Sequence, residues 1–228
     1  MKILCTICAR SGSKGLKNKN FLKIKGNSLL SHSLNQALKI KKIKNIIVTS
    51  DSKKIKKIQN DKIFYLQRPK KLSGDKVGKL PVIRHALNYA EERFKKKFDA
   101  VIDLDVTSPL RKLSDIKSCI NLFIKQKANN LITICESRKN PYFNMIEKKR
   151  NKMDLVKKKK VLFKSRQTAP KVYELNASIY LWKKKYLLKS NNLFSSKTQY
   201  YKMPYNRSID IDTLTDFLFV KFLMNKND

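Results

Sequence analysis

Short runs of β-branched and aliphatic residues recur along this chain, each followed by a stretch whose apolar side chains return every three or four positions. The runs are Ile3–Ile7, Asn45–Thr49, Ile63–Gln67, Ala100–Leu104 and Leu131–Cys135. Between them, Ser28–Lys39 sets Leu30, Leu34, Ala37 and Leu38 on one helical face. The segment from Pro81 to about Lys97 does the same with Ile83, Ala86, Leu87, Ala90 and Phe94. A third helix, opened by Ser114-Asp115 and reaching Lys127, turns Ile116, Ile120, Phe123 and Ile124 inward. A shorter helix is expected over Lys53–Gln59 and a final one over Leu214–Met224. Alternation of strand-like and helix-like periods predicts an α/β fold with a mostly parallel sheet. With 228 residues the chain forms one domain, large enough to bury a core.

Charge narrows the function classes. Lys and Arg number 53 against 17 Asp and Glu, a net charge of +36. Such a balance raises the possibility of a basic nucleic-acid-binding protein. The lysines are scattered rather than gathered in a tail, and no RNA-binding signature with interleaved aromatics occurs, so no specific nucleic acid is expected. What the charge does imply is attraction of anionic small molecules, screened as salt rises. No apolar run of about 18 residues is present, which predicts no membrane insertion. Met1–Thr6 enters a strand directly, without a signal core, so a cytoplasmic location is expected. Cys5 and Cys8 form a lone C-x-x-C within a strand, and only His32 and His85 accompany the four cysteines, which fits reduced core thiols better than a zinc site.

Two stretches carry chemistry. Ala9–Asn20, A-R-S-G-S-K-G-L-K-N-K-N, follows the first strand with two glycines, two serines and four cations. Glycines let backbone N–H groups turn toward an anion, and Arg and Lys neutralise it from the sides. The spacing is neither that of a Walker loop nor that of a dinucleotide fingerprint, and the plain alternative is a Lys-rich surface turn. Near the other end, Ser208–Thr213 reads S-I-D-I-D-T. In an extended segment, D-x-D puts both carboxylates on one side, a pair of hard oxygen ligands suited to Mg2+ bridging to a triphosphate. The alternative there is capping of the final helix by Asp212 or Thr213. Asp51, at the end of the second strand, reads as a helix cap before it reads as a nucleotide contact.

These stretches resemble the CMP-sialic acid synthetases, the acylneuraminate cytidylyltransferases, and do so in the same order along the chain. Thr107–Arg111 (T-S-P-L-R), Arg68–Asp75 (R-P-K-K-L-S-G-D), Lys164–Pro170 (K-S-R-Q-T-A-P) and Glu174–Leu181 (E-L-N-A-S-I-Y-L) extend the match. Asp105 stands where a glutamine is usual, and with Asn140–Asn144 (N-P-Y-F-N) it leans toward the branch that activates legionaminic acid. Lys79 stands where a small polar residue is usual, and Ala177 where a glycine is usual.

The resemblance implies a three-layer Rossmann-like nucleotidyltransferase fold with a dimerisation and lid excursion over about 137–200. It implies joining of CTP to an acidic nine-carbon (nonulosonic) sugar with release of pyrophosphate, in a homodimer using Mg2+. Catalytic roles fall to Arg10, Lys19, Asp210 and Asp212, the two aspartates also holding the metal. Nucleotide contacts fall to Ala9, Arg10, Ser11, Gly12, Lys14, Asn20, Arg68 and Lys79, with Asp75 fixing its loop. The sugar is assigned to Asp105, Arg166, Gln167, Asn176 and Tyr180, Arg166 facing its carboxylate; Phe194 is expected on its apolar face. Asp105 as a further metal ligand is the alternative at that position. Legionaminic or N-acetylneuraminic acid is the expected sugar; pseudaminic acid and 3-deoxy-octulosonate are the same-fold alternatives.

Overall fold

A computed structural model of the chain describes residues 1–12 and 15–226. Its central sheet has seven strands: β1 (Ile3–Cys8), β4 (Ile43–Ser50), β5 (Ile63–Gln67), β6 (Ala100–Leu104), β7 (Asn130–Glu136), β10 (Tyr173–Lys183) and β11 (Thr198–Lys202). Two small hairpins stand apart, β2 (Lys23–Ile24) with β3 (Asn27–Ser28) and β8 (Ile146–Lys149) with β9 (Lys152–Leu155). The spatial order is β11-β7-β10-β6-β1-β4-β5, and every neighbouring pair is parallel except the two that β10 makes.

Alternation along each strand divides the core in two. Ile3, Cys5 and Ile7 of β1 enter one cluster, with α1 (Leu29–Leu38), α3 (Leu113–Lys125) and Val220 of α5 (Leu214–Lys226). Leu4 enters the other, beneath α2 (Lys79–Phe94) and α4 (Lys184–Lys189). The layers are therefore helix, sheet, helix. Burial drives this arrangement: Ile83 and Leu87 of α2 have no exposed surface, and each contributes about 1.5–3 kcal/mol. Helix ends are fixed by polar side chains. The Ser28 hydroxyl accepts from the Ser31 N–H at 3.0 Å. At α5, Thr213 N–H donates to Asp216 and Asp216 N–H donates back to the Thr213 hydroxyl, a reciprocal cap.

One expectation needs correction. Residues 53–58 form a 3-10 turn rather than an α-helix, capped by Ser52. Within the 137–200 span, residues 137–172 leave the sheet, and β10 and β11 are full members of it. Among the described residues no helix is long and apolar enough to cross a membrane.

The chain runs outward from β1 to β4 and β5, then returns to lay β6 on the other side of β1. Loops leaving the carboxyl ends of β1 and β6 therefore part in opposite directions and open a crevice between them.

Candidate active site

The front wall of that crevice is the loop after β1. Ala9 still hangs on β4, its N–H donating to Thr49 O at 3.0 Å. Ser11 then donates to Asp51 twice, from its N–H and from its hydroxyl, both at 2.7 Å. Asp51 therefore does not cap the following turn, contrary to the expectation from the sequence, but grips the loop; Ser52 is the cap. Burial would raise its pKa, yet the Ser11 hydrogen bonds outweigh burial and hold it below the usual carboxylate value. Arg10 reaches Asp75 at 2.6 Å, and its carbonyl accepts from Asn20 Nδ2 at 2.7 Å, closing the loop on itself. Asn18, at φ 53, takes the left-handed turn that swings Lys19 inward.

The back wall is the D-x-D segment. Ile211 is fully buried and its N–H donates to Thr107 O at 3.0 Å, so Asp210 and Asp212 on either side of it face the cleft. Lys19 Nζ lies 2.7 Å from Asp212 Oδ1 and 2.9 Å from Ile211 O. Gly15 is part of the same junction: a Cβ there would lie 2.5 Å from the Asp212 carbonyl oxygen, closer than real Cβ contacts come. Asp210 Oδ1 is buried with no hydrogen-bond partner among the described residues. Burial, then the charge of Asp105, then that of Asp212 push its carboxyl up to about 6, against the pull of Thr107 and Lys19. Behind the segment, Arg207 holds the fully buried Asp115 at 3.0 and 2.8 Å, anchoring the approach to Ser208 on α3.

Between these walls lies the floor. Arg68 is buried and donates to Thr49 O at 2.9 Å. Lys79, at the start of α2, sits between Asp103 (2.9 Å) and Asp105. Asp103 is in turn fixed by the Thr6 hydroxyl at 2.7 Å, and Asp105 by the N–H and hydroxyl of Thr107 at 3.0 and 2.8 Å. Burial would lower the Lys79 pKa, but Asp103 and Asp105 outweigh it and hold the ammonium well above its usual value. Asp105 is correspondingly depressed: burial raises it, and Lys79 with Thr107 more than reverses that. The cleft enclosed has a volume of about 400 Å³.

Arg10, Lys19, Asn20, Arg68, Lys79, Asp105, Asp210 and Asp212 thus line one cleft. Other expected residues lie elsewhere. Ala9 is buried behind the loop, Ser11 is committed to Asp51, and a Cβ at Gly12 would meet nothing within 4 Å. Lys14 is outside the described residues. Tyr180 is buried beneath Lys79, whose ammonium stands 5.9 Å from its ring. Asn176 is buried and holds the Ser208 hydroxyl at 2.8 Å; it borders a neighbouring cavity of about 240 Å³ that shares Asp210 with the cleft. Arg166 and Gln167 are exposed on the excursion and do not reach the cleft of their own chain. Phe194 is 57% exposed and borders an apolar hollow with Tyr173, Leu175 and Tyr200, away from the cleft. Asp103 was missed, and Thr107 and Gly15 were read only as members of their motifs. An acid inside the apolar run A-V-I-D-L was the available signal for Asp103, since a buried charge needs a partner.

A cleft with cations on one wall and, on the other, two carboxylates, one with an unpartnered buried oxygen among the described residues, can take a polyanion together with a hard cation. The sequence profile of the family described as cytidylyltransferase matches residues 4–224. The chain is 43% identical to a CMP-N,N'-diacetyllegionaminic acid synthase of Campylobacter jejuni, over 98% of this chain and 95% of that one. It is 41% identical to a post-translational flagellin modification protein B of Campylobacter coli, over 100% and 97% of the two chains. Among solved structures, a CMP:2-keto-3-deoxy-manno-octonic acid synthetase complexed with CTP aligns over the full length of both chains with a TM-score of 0.69 at 14% identity, a likeness of fold.

Proposed function

The chain belongs to the cytidylyltransferase family, and from that premise we propose that it transfers the CMP group of CTP to a nonulosonic acid, with N,N'-diacetyllegionaminic acid the favoured sugar. The sugar's anomeric hydroxyl attacks the α-phosphorus; a new P–O bond forms, the bond to the β-phosphate oxygen breaks, and pyrophosphate leaves with the hydroxyl proton passing to solvent or buffer. The observation that carries this reading is the meeting of Lys19 with Asp212 and Ile211, which joins a cationic glycine loop to a carboxylate pair in one cleft.

Little covalent work falls to the protein in such a transfer, so alignment and charge neutralisation do most of it. Arg10, Lys19 and Arg68 hold the phosphates, Lys14 adds to them, and Asn20 keeps the loop in shape from below. Asp210 and Asp212 hold the divalent metal, proposed to be Mg2+. The donors fit it: two hard carboxylates, one with a buried oxygen that no group among the described residues satisfies. When bound, such a cation neutralises phosphate charge. A cytoplasmic location belongs to the proposal, since a nucleoside triphosphate is the substrate. So does a homodimer, because Arg166 and Gln167 serve the sugar carboxylate only if a second copy delivers them.

The test is pyrophosphate release from CTP over a panel of nonulosonic acids with Mg2+, the product identified as a CMP-sugar by mass. Turnover is expected with N,N'-diacetyllegionaminic acid above N-acetylneuraminic, pseudaminic and 3-deoxy-octulosonic acids. No pyrophosphate with any of them would sink the proposal.

A further inference from the structure

Four carboxylates gather near the floor and back of the cleft, yet the chain divides them unequally. Asp210 and Asp212 line the open cleft, Asp212 meeting Lys19 through one oxygen while 70% of its side chain stays exposed, whereas Asp103 and Asp105 close on the ammonium of Lys79. The closure is built rather than incidental. Asp103 is 1% exposed and locked to the next strand by Thr6, Asp105 is locked by both donors of Thr107, and the Lys79 ammonium stands 5.9 Å from the ring of the buried Tyr180. Asp105 is also a close neighbour of the open pair. Thr107 touches both it and Asp210, and Asp105 is the charge that most raises the Asp210 pKa, ahead of Asp212. Proximity alone would therefore make Asp105 a third oxygen ligand. Even so, among the described residues no group of three or more His, Cys, Asp or Glu is arranged to hold a metal.

We propose that Lys79 is an internal cation that withdraws Asp105 from the divalent-metal site, leaving that site to Asp210 and Asp212. An ammonium has three donors; one is donated to Asp105, and the charge of Asp103, 2.9 Å away, holds the ammonium in place from the other side. Lys79 is on this account a positioning residue: it sets how many carboxylates the metal meets. The inference rests on the proposed metal role of Asp210 and Asp212.

The test is Mn2+ binding to the intact protein without nucleotide, followed by electron paramagnetic resonance of free Mn2+ and by calorimetry. At pH 8, where Asp210 is ionised with or without its neighbour's charge, Asp105→Asn should bind Mn2+ within a few-fold of the unaltered protein, because Asp105 is already withdrawn. Lys79→Met, which keeps the stem and removes the charge, should bind Mn2+ at least about tenfold more tightly or take up a second ion, a change of the size outer-shell partners produce. The gain should vanish in the double variant Lys79→Met, Asp105→Asn. A tenfold weakening in Asp105→Asn, or wild-type binding by folded Lys79→Met, would overturn the assignment. Should Lys79→Met fail to fold, the Asp105→Asn measurement decides alone. Asp212→Asn separates the two levels: if it binds Mn2+ undiminished, the metal reading itself falls, whatever Lys79 does.

Discussion

Asp210 and Asp212 differ more than their shared motif suggests. Asp212 is exposed and paired with Lys19, whereas Asp210 is largely enclosed, with one oxygen unpartnered. Replacing Asp212 by Asn removes one metal ligand and the partner of Lys19 together. Turnover measured by pyrophosphate release at saturating Mg2+ should fall at least about 100-fold, roughly 3 kcal/mol of barrier; near-normal turnover would remove Asp212 from the metal site. Asp210 predicts a pH effect. Its folded pKa of about 6 lies above the ordinary 3.8, so ionising it costs the metal-free fold. That share of stability is present below the ordinary value and is lost as pH rises through about 6. A dication needs the ionised form, so its apparent affinity should be flat above pH 6 and fall about tenfold per unit below it. Calorimetry in buffers of different ionisation heat should find about half a proton released per Mg2+ at pH 6 and almost none at pH 8. The D-x-D was legible because period-two spacing shows itself in sequence. The partnership of Lys79 with Asp105 was not: each read as a separate ligand contact, and a pairing 26 residues apart leaves no local trace.

Elements with strong local periodicity were foreseen closely. β5 and β6 have the expected bounds, and α1 and α3 lie within two residues of theirs. β10 was foreseen only in part, because its place between β6 and β7, antiparallel to both, depends on pairings distant in sequence. Its irregularity has a readable cause. Pairing with β7 shifts register between Leu175 and Tyr180, and Ala177 within the shift adopts φ 52. A side chain in that left-handed conformation costs about 1–2 kcal/mol. Glycine would remove the strain but lose more entropy on folding, by about 0.5–1 kcal/mol. Ala177→Gly should therefore stabilise the fold by about 0.5–1 kcal/mol, seen as a higher midpoint in denaturant at unchanged slope. A lower midpoint would show that packing of the Ala177 methyl matters more than its backbone. The departure from glycine noted in the sequence thus marks a real bend in the strand.

The charge of +36 surrounds a cleft in which Arg10, Lys19 and Lys79 already face acids, so most of the excess lies outside the site. Distant lysines act through a field that salt screens beyond about 10 Å at 0.1 M. The second-order rate constant kcat/KM for CTP should therefore fall several-fold, about tenfold at most, between about 20 and 200 mM salt while kcat holds nearly constant. A parallel fall in kcat would mean that salt reaches the ion pairs inside the cleft instead. Sequence composition announced this field but not its remoteness from the chemistry, which depends on which lysines find partners after folding.

The contact of Gly15 with the Asp212 carbonyl, beside an ion pair spanning 193 residues, has a consequence for biogenesis. While a ribosome is still extending the chain, the cationic loop exists for most of synthesis without the acids that complete it. A polypeptide halted before Asp210 displays the loop proposed to bind phosphates and lacks the aspartates proposed to complete the site. Competence to activate a sugar therefore arrives in a single late step, when the two distant stretches latch, and partly made chains cannot consume CTP.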